Sequence, residues 1–421
     1  MKIEILSTGN ELTTGALVDT NAAYISECLT QNHMMVCRHQ VVGDDLIVIK
    51  TVLSEMTQRA DVLIVTGGLG PTSDDLSSEA AASVIDKKLV FNQPAYDAMC
   101  TFFERIQRPM NPSNKKQAYL PDGAQRIPNP VGTASGFKLV MGHCRTYFLP
   151  GVPHEMKKMF NSYVLPELNQ DNHQRHTKIV HKTIVCFGLS ESALGDTIKD
   201  IPGILDGVRI GTRSKFPELH IKIYATSHSL ENANALLRQA EQICVSRLGK
   251  YIVSTTGETI QQVVGHLLKK ENATLAIAES CTGGLIAHLM TQVPGSSDYF
   301  LCSAVTYANE AKTAILNVSH DTIQKYGAVS EETVREMALG IRNKNNASYG
   351  LATSGIAGPG GGTPEKPVGT LCMAVASDSG INYQKIVLSF GTRAQKKEFF
   401  AMAAMDYLRR TLLNLPALFD E

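Results

Sequence analysis

Residues 276–284, AIAESCTGG, constrain this chain more than any other stretch. Ala273 to Ala278 reads as a short buried strand, Glu279, Ser280, Cys281 and Thr282 fall on a turn, and Gly283 onward predicts a helix. A strand that ends on a serine and runs into Gly-Gly presents a hydroxyl at the carboxyl end of a sheet, where open α/β folds bind ligands. The free N–H groups of the new helix can hold an anion, so the pattern suggests a nucleophile beside a phosphate site. An ordinary Ser/Thr helix cap gives the same local pattern.

At 421 residues the chain exceeds a single core, which predicts two or three domains. Its 40 basic and 40 acidic residues cancel, so no dominant electrostatic partner is expected, and nucleic acid and membrane are unsupported. The nine cysteines are scattered without a C-x-x-C pair, which reads as reduced thiols in a cytoplasmic protein. The opening MKIEILSTGNEL sets Glu4 inside its apolar run and offers no signal-peptide core.

The first 66 residues alternate strand and helix: Ile3 and Ile5 before Ser7-Thr8-Gly9, a helix from about Asp19 with Ala22, Ile25 and Leu29 on one face, a strand from Met35 to Val42, a helix carrying Leu46, Ile49, Leu53 and Met56, and the strand DVLIVT at 61–66. That order predicts a parallel sheet flanked by helices, with functional loops after strands one and three. Those loops are GNELTTG at 9–15 and GGLGPTSDD at 67–75. Gly67, Gly68 and Gly70 let backbone N–H groups approach a phosphate. Asp74 and Asp75 supply hard oxygens for a divalent cation, or else cap the next helix. Further polar loops follow: PSNKKQA at 112–118 with Lys115, Lys116 and Gln117, NPVGTASG at 129–136, and PGVPHEM at 150–156 with Glu155.

The polar run NQDNHQRHT, beginning at Asn169, reads as a linker. Strands are expected from Thr177 to Gly188, Val208 to Thr212 and Leu219 to Ala225, with a helix starting at Ser190-Glu191. A long helix from Ser229 should bury Leu236, Leu237, Ala240 and Ile243. Nothing in this module suggests chemistry, and it has no G-x-x-G loop with basic flanks for RNA.

The last part opens with a helix at about 257–270 and reaches the Ser280 strand. YFLCSAVTYANEAK at 299–312 forms a second strand with Tyr307 at its end; a helix from near Ala308 lets Lys312 point back toward the strand end, which makes Tyr307 and Lys312 candidates to flank Ser280. The motifs hold no histidine, so a lysine kept neutral by desolvation is the expected base, directly or through the Tyr307 hydroxyl. TSGIAGPGGGTPEKPVGT at 353–370 supplies backbone donors to an oxyanion or a phosphate. Arg393, in FGTRAQKKEF, suits a bidentate phosphate contact.

The motifs GNELTTG, DTN at 19–21, VTGGLGPTSDD, NKKQA, NPVGTASG and LPGVPHEM, in that order, resemble the amino-terminal domain of the CinA family, similar in fold to the MoaB/MogA molybdopterin-binding proteins. AESCTGG, VTYANEAK, YGAVSEETV, SGIAGPGGGTPEKPVGT and GTR resemble the CinA carboxyl-terminal domain, known free-standing as PncC, a nicotinamide mononucleotide (NMN) deamidase. The resemblance implies an α/β protein of three domains: a MoaB/MogA-like parallel-sheet domain at 1–167, a small KH-like α/β module at 177–254, and a PncC-type α/β domain at 255–421. It implies a bifunctional hydrolase of pyridine-nucleotide recycling, homodimeric and cytoplasmic. One activity converts NMN to nicotinate mononucleotide and ammonia without a cofactor. Ser280, Tyr307 and Lys312 are then catalytic, and Thr282, Gly283, Gly284, Ser354, Gly355, Gly358 and Arg393 bind NMN. The other cleaves ADP-ribose to AMP and ribose 5-phosphate with a divalent metal of the cobalt or magnesium class. Glu11, Asn21, Gly67, Gly68, Gly70, Thr72, Lys116, Gln117 and Glu155 would bind ADP-ribose, with Asp74 and Asp75 at the metal. The wider fold implies only pterin or nucleotide binding for the first domain, and the family name also admits an interaction factor in DNA uptake or repair.

Overall fold

The structure is a computed structural model, and it describes residues 1–173 and 178–419. The chain packs as two units, Met1–His181 with Ser227–Leu230, and Lys182–Thr226 with Glu231–Glu421.

In the first unit β1 (Ile3–Thr8) is buried along its whole length. Glu4 can be buried with it because the Arg59 guanidinium meets its carboxylate in two bonds of 2.9 Å. β2 (Val36–Val42) and β3 (Val62–Thr66) run parallel on either side of β1. The intervening helices, Thr20–Gln31 and Leu46–Arg59, begin at side-chain caps from Asp19 and Asp45. β4 (Leu89–Phe91) and β5 (Tyr119–Pro121) form a separate antiparallel ribbon. β6 (Gln125–Ile127), β7 (Gly136–Met141) and β8 (Cys144–Leu149) extend the sheet to the order β2-β1-β3-β8-β7-β6. β8 is parallel to β3, and β7 and β6 add an antiparallel edge. Period-two alternation sends Leu6 and Leu63 into one core layer and Ile5 and Ile64 into the other, so helices cover both faces.

The expected linker is corrected for its first part, because the helix Leu165–His173 runs through it. Glu167 and Asp171 lie one turn apart, and both pair with Arg145, Glu167 also with Lys138 at 2.8 Å. Polar residues are held here by charge on the sheet, a partner that local composition does not reveal. Residues 174–177 of that run lie outside the described residues.

The middle module has β9 (Lys178–Cys186), β10 (Val208–Lys215), β11 (Glu218–Ser227) and β12 (Ile252–Ser254) in the order β10-β11-β9-β12. Its helix Leu230–Leu248 buries Ala233, Ala240, Cys244 and Leu248, whereas Leu236, Leu237 and Ile243 are only half-buried. Apart from Leu248 at its end, small residues set the close face of this helix and the larger ones rim it.

The last sheet contains β13 (Leu275–Glu279), β14 (Phe300–Val305), β15 (Tyr349–Gly355), β16 (Thr370–Ser377) and β17 (Gly380–Val387), in the order β14-β13-β15-β16-β17. The first three are mutually parallel and the last two antiparallel. Leu275 and Ile277 face a core shared with the helices Ile260–Lys270 and Arg393–Leu412, while Ala276 and Ala278 face the helix Glu331–Lys344. Among the described residues no helix is long and apolar enough to cross a membrane.

Candidate functional site

Ser280 follows β13 directly, and its backbone N–H donates to Thr353 O at 3.0 Å, which fixes the turn against β15. Gly283 N–H donates back to Ser280 O at 3.1 Å, closing the turn. Gly283 and Gly284 both take left-handed backbone, with φ of 61° and 88°, so the helix starts later than expected, at Leu285–Thr291. The expected anion site at this helix start is also corrected. The backbone N–H groups of Gly284, Ile286 and Ala287 donate to the Glu279 carboxylate at 2.9, 3.2 and 2.9 Å. The anion there is the protein's own, fully buried, with Ser303 Oγ as a further donor at 3.3 Å. A carboxylate inside the apolar strand AIAE was the signal that could have revealed this, since a buried charge needs partners.

Lys312 lies one turn into the helix Asn309–Leu316 and is 1% exposed. Its Nζ stands 3.2 Å from Ser280 Oγ, 2.8 Å from Thr306 O and 3.3 Å from Tyr307 O. Burial lowers its pKa from the ordinary lysine value. The lysine thus reaches Ser280 directly, while the Tyr307 hydroxyl, on a side chain 61% exposed, accepts from Arg393 Nη2 at 2.8 Å. Arg393 Nη1 donates to Gly358 O at 2.5 Å, joining the glycine-rich loop to Tyr307. Tyr307 therefore links two groups, its carbonyl on Lys312 and its hydroxyl on Arg393.

The other residues expected to bind NMN hold the frame as they stand. Thr282 Oγ1 bonds Thr353 Oγ1 at 3.0 Å, and buried Ser354 donates to Ala328 O at 2.6 Å. A Cβ on Gly355 would lie 2.5 Å from Thr370 O and 3.1 Å from Cys281 Sγ, so only glycine fits there. Cys281 itself is buried, which pushes its thiol up to about 12.

In the first unit the loops after β1, β3 and β8 surround a cavity of about 500 Å³. Glu11, Gly67, Gly68, Gly70, Thr72, Asp74, Asp75, Gln117 and Glu155 all line it. Gly67, at φ 101°, packs where a Cβ would meet Thr8 O at 2.4 Å. Lys116 and Gln117 hold the 67–75 loop from behind, with Lys116 Nζ on Thr72 O and Asp75 O at 2.7 and 2.8 Å and Gln117 Nε2 on Leu69 O at 3.2 Å. Asn21 donates to Gly151 O at 2.7 Å, and its buried Oδ1 has no partner among the described residues. Glu155 accepts from Asn129 Nδ2 at 2.6 Å, and burial raises its pKa.

Sequence reasoning missed Asp44, which enters this cavity from the loop after β2 and accepts from Asn10 N–H at 2.9 Å. Burial pushes its carboxyl up, and the charges of Glu11, Asp74 and Asp75 push the same way. The Asp75 carboxylate is bonded to Thr72 N–H and Oγ1. Among the described residues no three His, Cys, Asp or Glu side chains converge to hold a metal ion. The residues present do not fit a preformed metal centre.

Residues 257–412 match the family model of the CinA C-terminal domain, residues 4–170 that of a probable molybdopterin binding domain, and residues 181–254 that of the damage-inducible protein CinA KH domain. The CinA-like protein of Desulfosudis oleivorans is 49% identical over 413 residues, covering 98% of this chain and 100% of its own length. That of Desulforapulum autotrophicum is 45% identical over 417 residues, covering 98% and 99%. A solved CinA superfamily protein of Klebsiella pneumoniae aligns with 37% of this chain and 99% of its own at 30% identity, with a TM-score of 0.36. Three consecutive domain matches and near full-length alignment at 49% and 45% identity with these CinA-like proteins mean that this chain belongs to the CinA family.

Proposed function

We propose that the carboxyl-terminal domain, residues 255–421, is a serine amidohydrolase that converts NMN to nicotinate mononucleotide and ammonia. The observation that carries this reading is the direct 3.2 Å contact between Ser280 Oγ and the buried Lys312 amine. Neutral Lys312 takes the Ser280 proton as Oγ attacks the carboxamide carbon, giving a tetrahedral intermediate. Collapse breaks the C–N bond, and the leaving ammonia takes that proton back from Lys312. Water then attacks the acyl ester, Lys312 again accepts a proton, and Ser280 is regenerated with release of the acid. Backbone N–H groups would stabilise the oxyanion. Arg393 supplies a cation for the phosphate, exchanging its bond to Tyr307 for one to substrate. Incubation of the protein with NMN should release one ammonia per nicotinate mononucleotide formed, and no ammonia would refute the proposal.

For the amino-terminal domain, residues 1–167, we infer a nucleotide site that takes ADP-ribose and cleaves its pyrophosphate to AMP and ribose 5-phosphate. The cavity at the carboxyl ends of β1, β3 and β8, lined by Gly67, Gly68, Gly70 and the carboxylates of Glu11, Asp44 and Glu155, supports a ligand there. A second reading, binding without turnover, is favoured by the match to a probable molybdopterin binding domain and by the lack, among the described residues, of a converged metal-ligand set. Production of AMP from ADP-ribose separates the two.

A further inference from the structure

We propose that Lys397 is a substrate-binding residue of the Ser280 site and the second cation of a phosphate clamp formed with Arg393. This inference rests on the amidohydrolase reading above. Arg393 and Lys397 stand four residues apart on the helix Arg393–Leu412 and so share one face. The half-buried Lys397 overlies the Ser280 turn: a Cβ built on Gly283 would lie 3.4 Å from its Nζ. Gly283 is exposed and left-handed, so this ammonium stands close against bare backbone at the open edge of the Ser280 turn.

The three cations RAQKK brings to the start of this helix have different occupations. Lys396 is buried and donates to Gly391 O, and Arg393 is committed to Gly358 O and Tyr307. Lys397 has no hydrogen bond or ion pair among the described residues. No acidic residue in the first turn offsets these charges, and cations are disfavoured at this end of a helix. An anion between Arg393 and Lys397 relieves that arrangement. A nucleotide bound with its reacting carbonyl at Ser280 Oγ and running along the turn brings its phosphate monoester to this pair, since Ser280 and Gly283 are the ends of a single hydrogen-bonded turn. The clamp selects a phosphorylated substrate over the free nucleoside.

The test uses the full chain with Lys397→Ala and Lys397→Arg, assayed with NMN and with nicotinamide riboside. Loss of one charge-assisted contact should raise KM for NMN about tenfold or more in Lys397→Ala, with kcat within about twofold. The riboside should be unaffected, and Lys397→Arg should recover most of the NMN affinity. An unchanged KM, or equal losses with both substrates, overturns the clamp. Calorimetric binding of NMN to Ser280→Ala and to Ser280→Ala with Lys397→Ala tests the clamp independently of turnover. Affinity that falls about tenfold while the unmodified protein makes no ammonia keeps the clamp and sinks the amidohydrolase reading. Equal affinities, or no binding to either, sink the clamp.

Discussion

Lys312 Nζ meets Ser280 Oγ at 3.2 Å while two backbone carbonyls, Thr306 O and Tyr307 O, take its other hydrogen-bond directions at 2.8 and 3.3 Å. In the neutral amine those carbonyls occupy both N–H bonds, and the lone pair is left facing the Ser280 hydroxyl.

Lys312→Ala should therefore lower kcat by about 100-fold or more with little change in KM. Burial lowers the Lys312 pKa, so the neutral base forms at lower pH than for a free lysine. The rate should rise with pH through that lowered value and fall as Lys312 protonates below it. A pH–rate profile with no such ascending limb, or a variant changed only in KM, would return the base role to Tyr307.

Cys281 adjoins Ser280 and is the rival nucleophile, but burial holds its thiol up to about 12, so almost no thiolate exists near neutral pH. Ser280→Ala should abolish ammonia release and still bind NMN, whereas Cys281→Ala should retain most of the rate. The opposite pattern in the same assay would transfer the nucleophile to Cys281.

The Ser280–Lys312 proximity was legible because Ser280 directly follows a strand end and Lys312 lies one turn into the helix after the neighbouring strand, where helix geometry predicts direction. The alternation that set β1, β2 and β3 was legible for the same reason, since local periodicity carries it. Long-range partners were not. Glu279 looked like a turn residue, yet it occupies the helix N-terminus that a phosphate was expected to take. Asp44 comes to the first cavity from the loop after β2, and the polar helix from Leu165 is held by Arg145 on β8, 22 residues before Glu167. Composition reports exposure poorly where charge pairs replace apolar contact.

Glu279→Gln keeps the shape and removes the charge that three backbone N–H groups and Ser303 share. Charge-assisted bonds contribute about 1.5–3 kcal/mol each and neutral ones about 0.5–1.5, so a loss of about 1 kcal/mol per bond, several kcal/mol in all, is expected. Thermal unfolding should show a lowered Tm, and kcat should fall as the Ser280 turn loosens. A variant with unchanged Tm and rate would mean that the left-handed Gly283 and Gly284 hold the turn by themselves.

The amino-terminal cavity offers carboxylates that do not converge, so a divalent ion should bind it weakly when no nucleotide is present. Calorimetry with magnesium or cobalt alone should show no tight site, and ADP-ribose should create one, its pyrophosphate supplying the missing oxygens. Asp74→Asn and Asp75→Asn should each weaken metal-dependent pyrophosphatase activity by about tenfold or more and leave ammonia release from NMN unchanged. Tight metal binding without nucleotide would show that Asp44, Asp74 and Asp75 close on the ion unaided.

The final prediction concerns where the carboxyl-terminal domain can be cut. Residues 255–421 contain Ser280, Lys312, Tyr307 and Arg393, so the fragment should hydrolyse NMN without added metal. Its packing, however, does not end at residue 255. Val185, Phe187 and Val253 belong to the same core as Ile260, Phe400 and Leu418. Phe187 lies 5.2 Å from Phe399 and 6.0 Å from Phe419, ring centroid to centroid, and Arg410 donates to Lys250 O. Removing residues before 255 exposes those faces, and burying one large apolar side chain contributes about 1.5–3 kcal/mol. A fragment of residues 182–421, which keeps Phe187 and Val253, should therefore melt several degrees higher than 255–421 while both turn over NMN at similar kcat. Equal melting temperatures would mean that the Phe187 contacts stabilise only the middle module, and a shorter fragment that folds without activity would mean that the Ser280 site needs residues outside it.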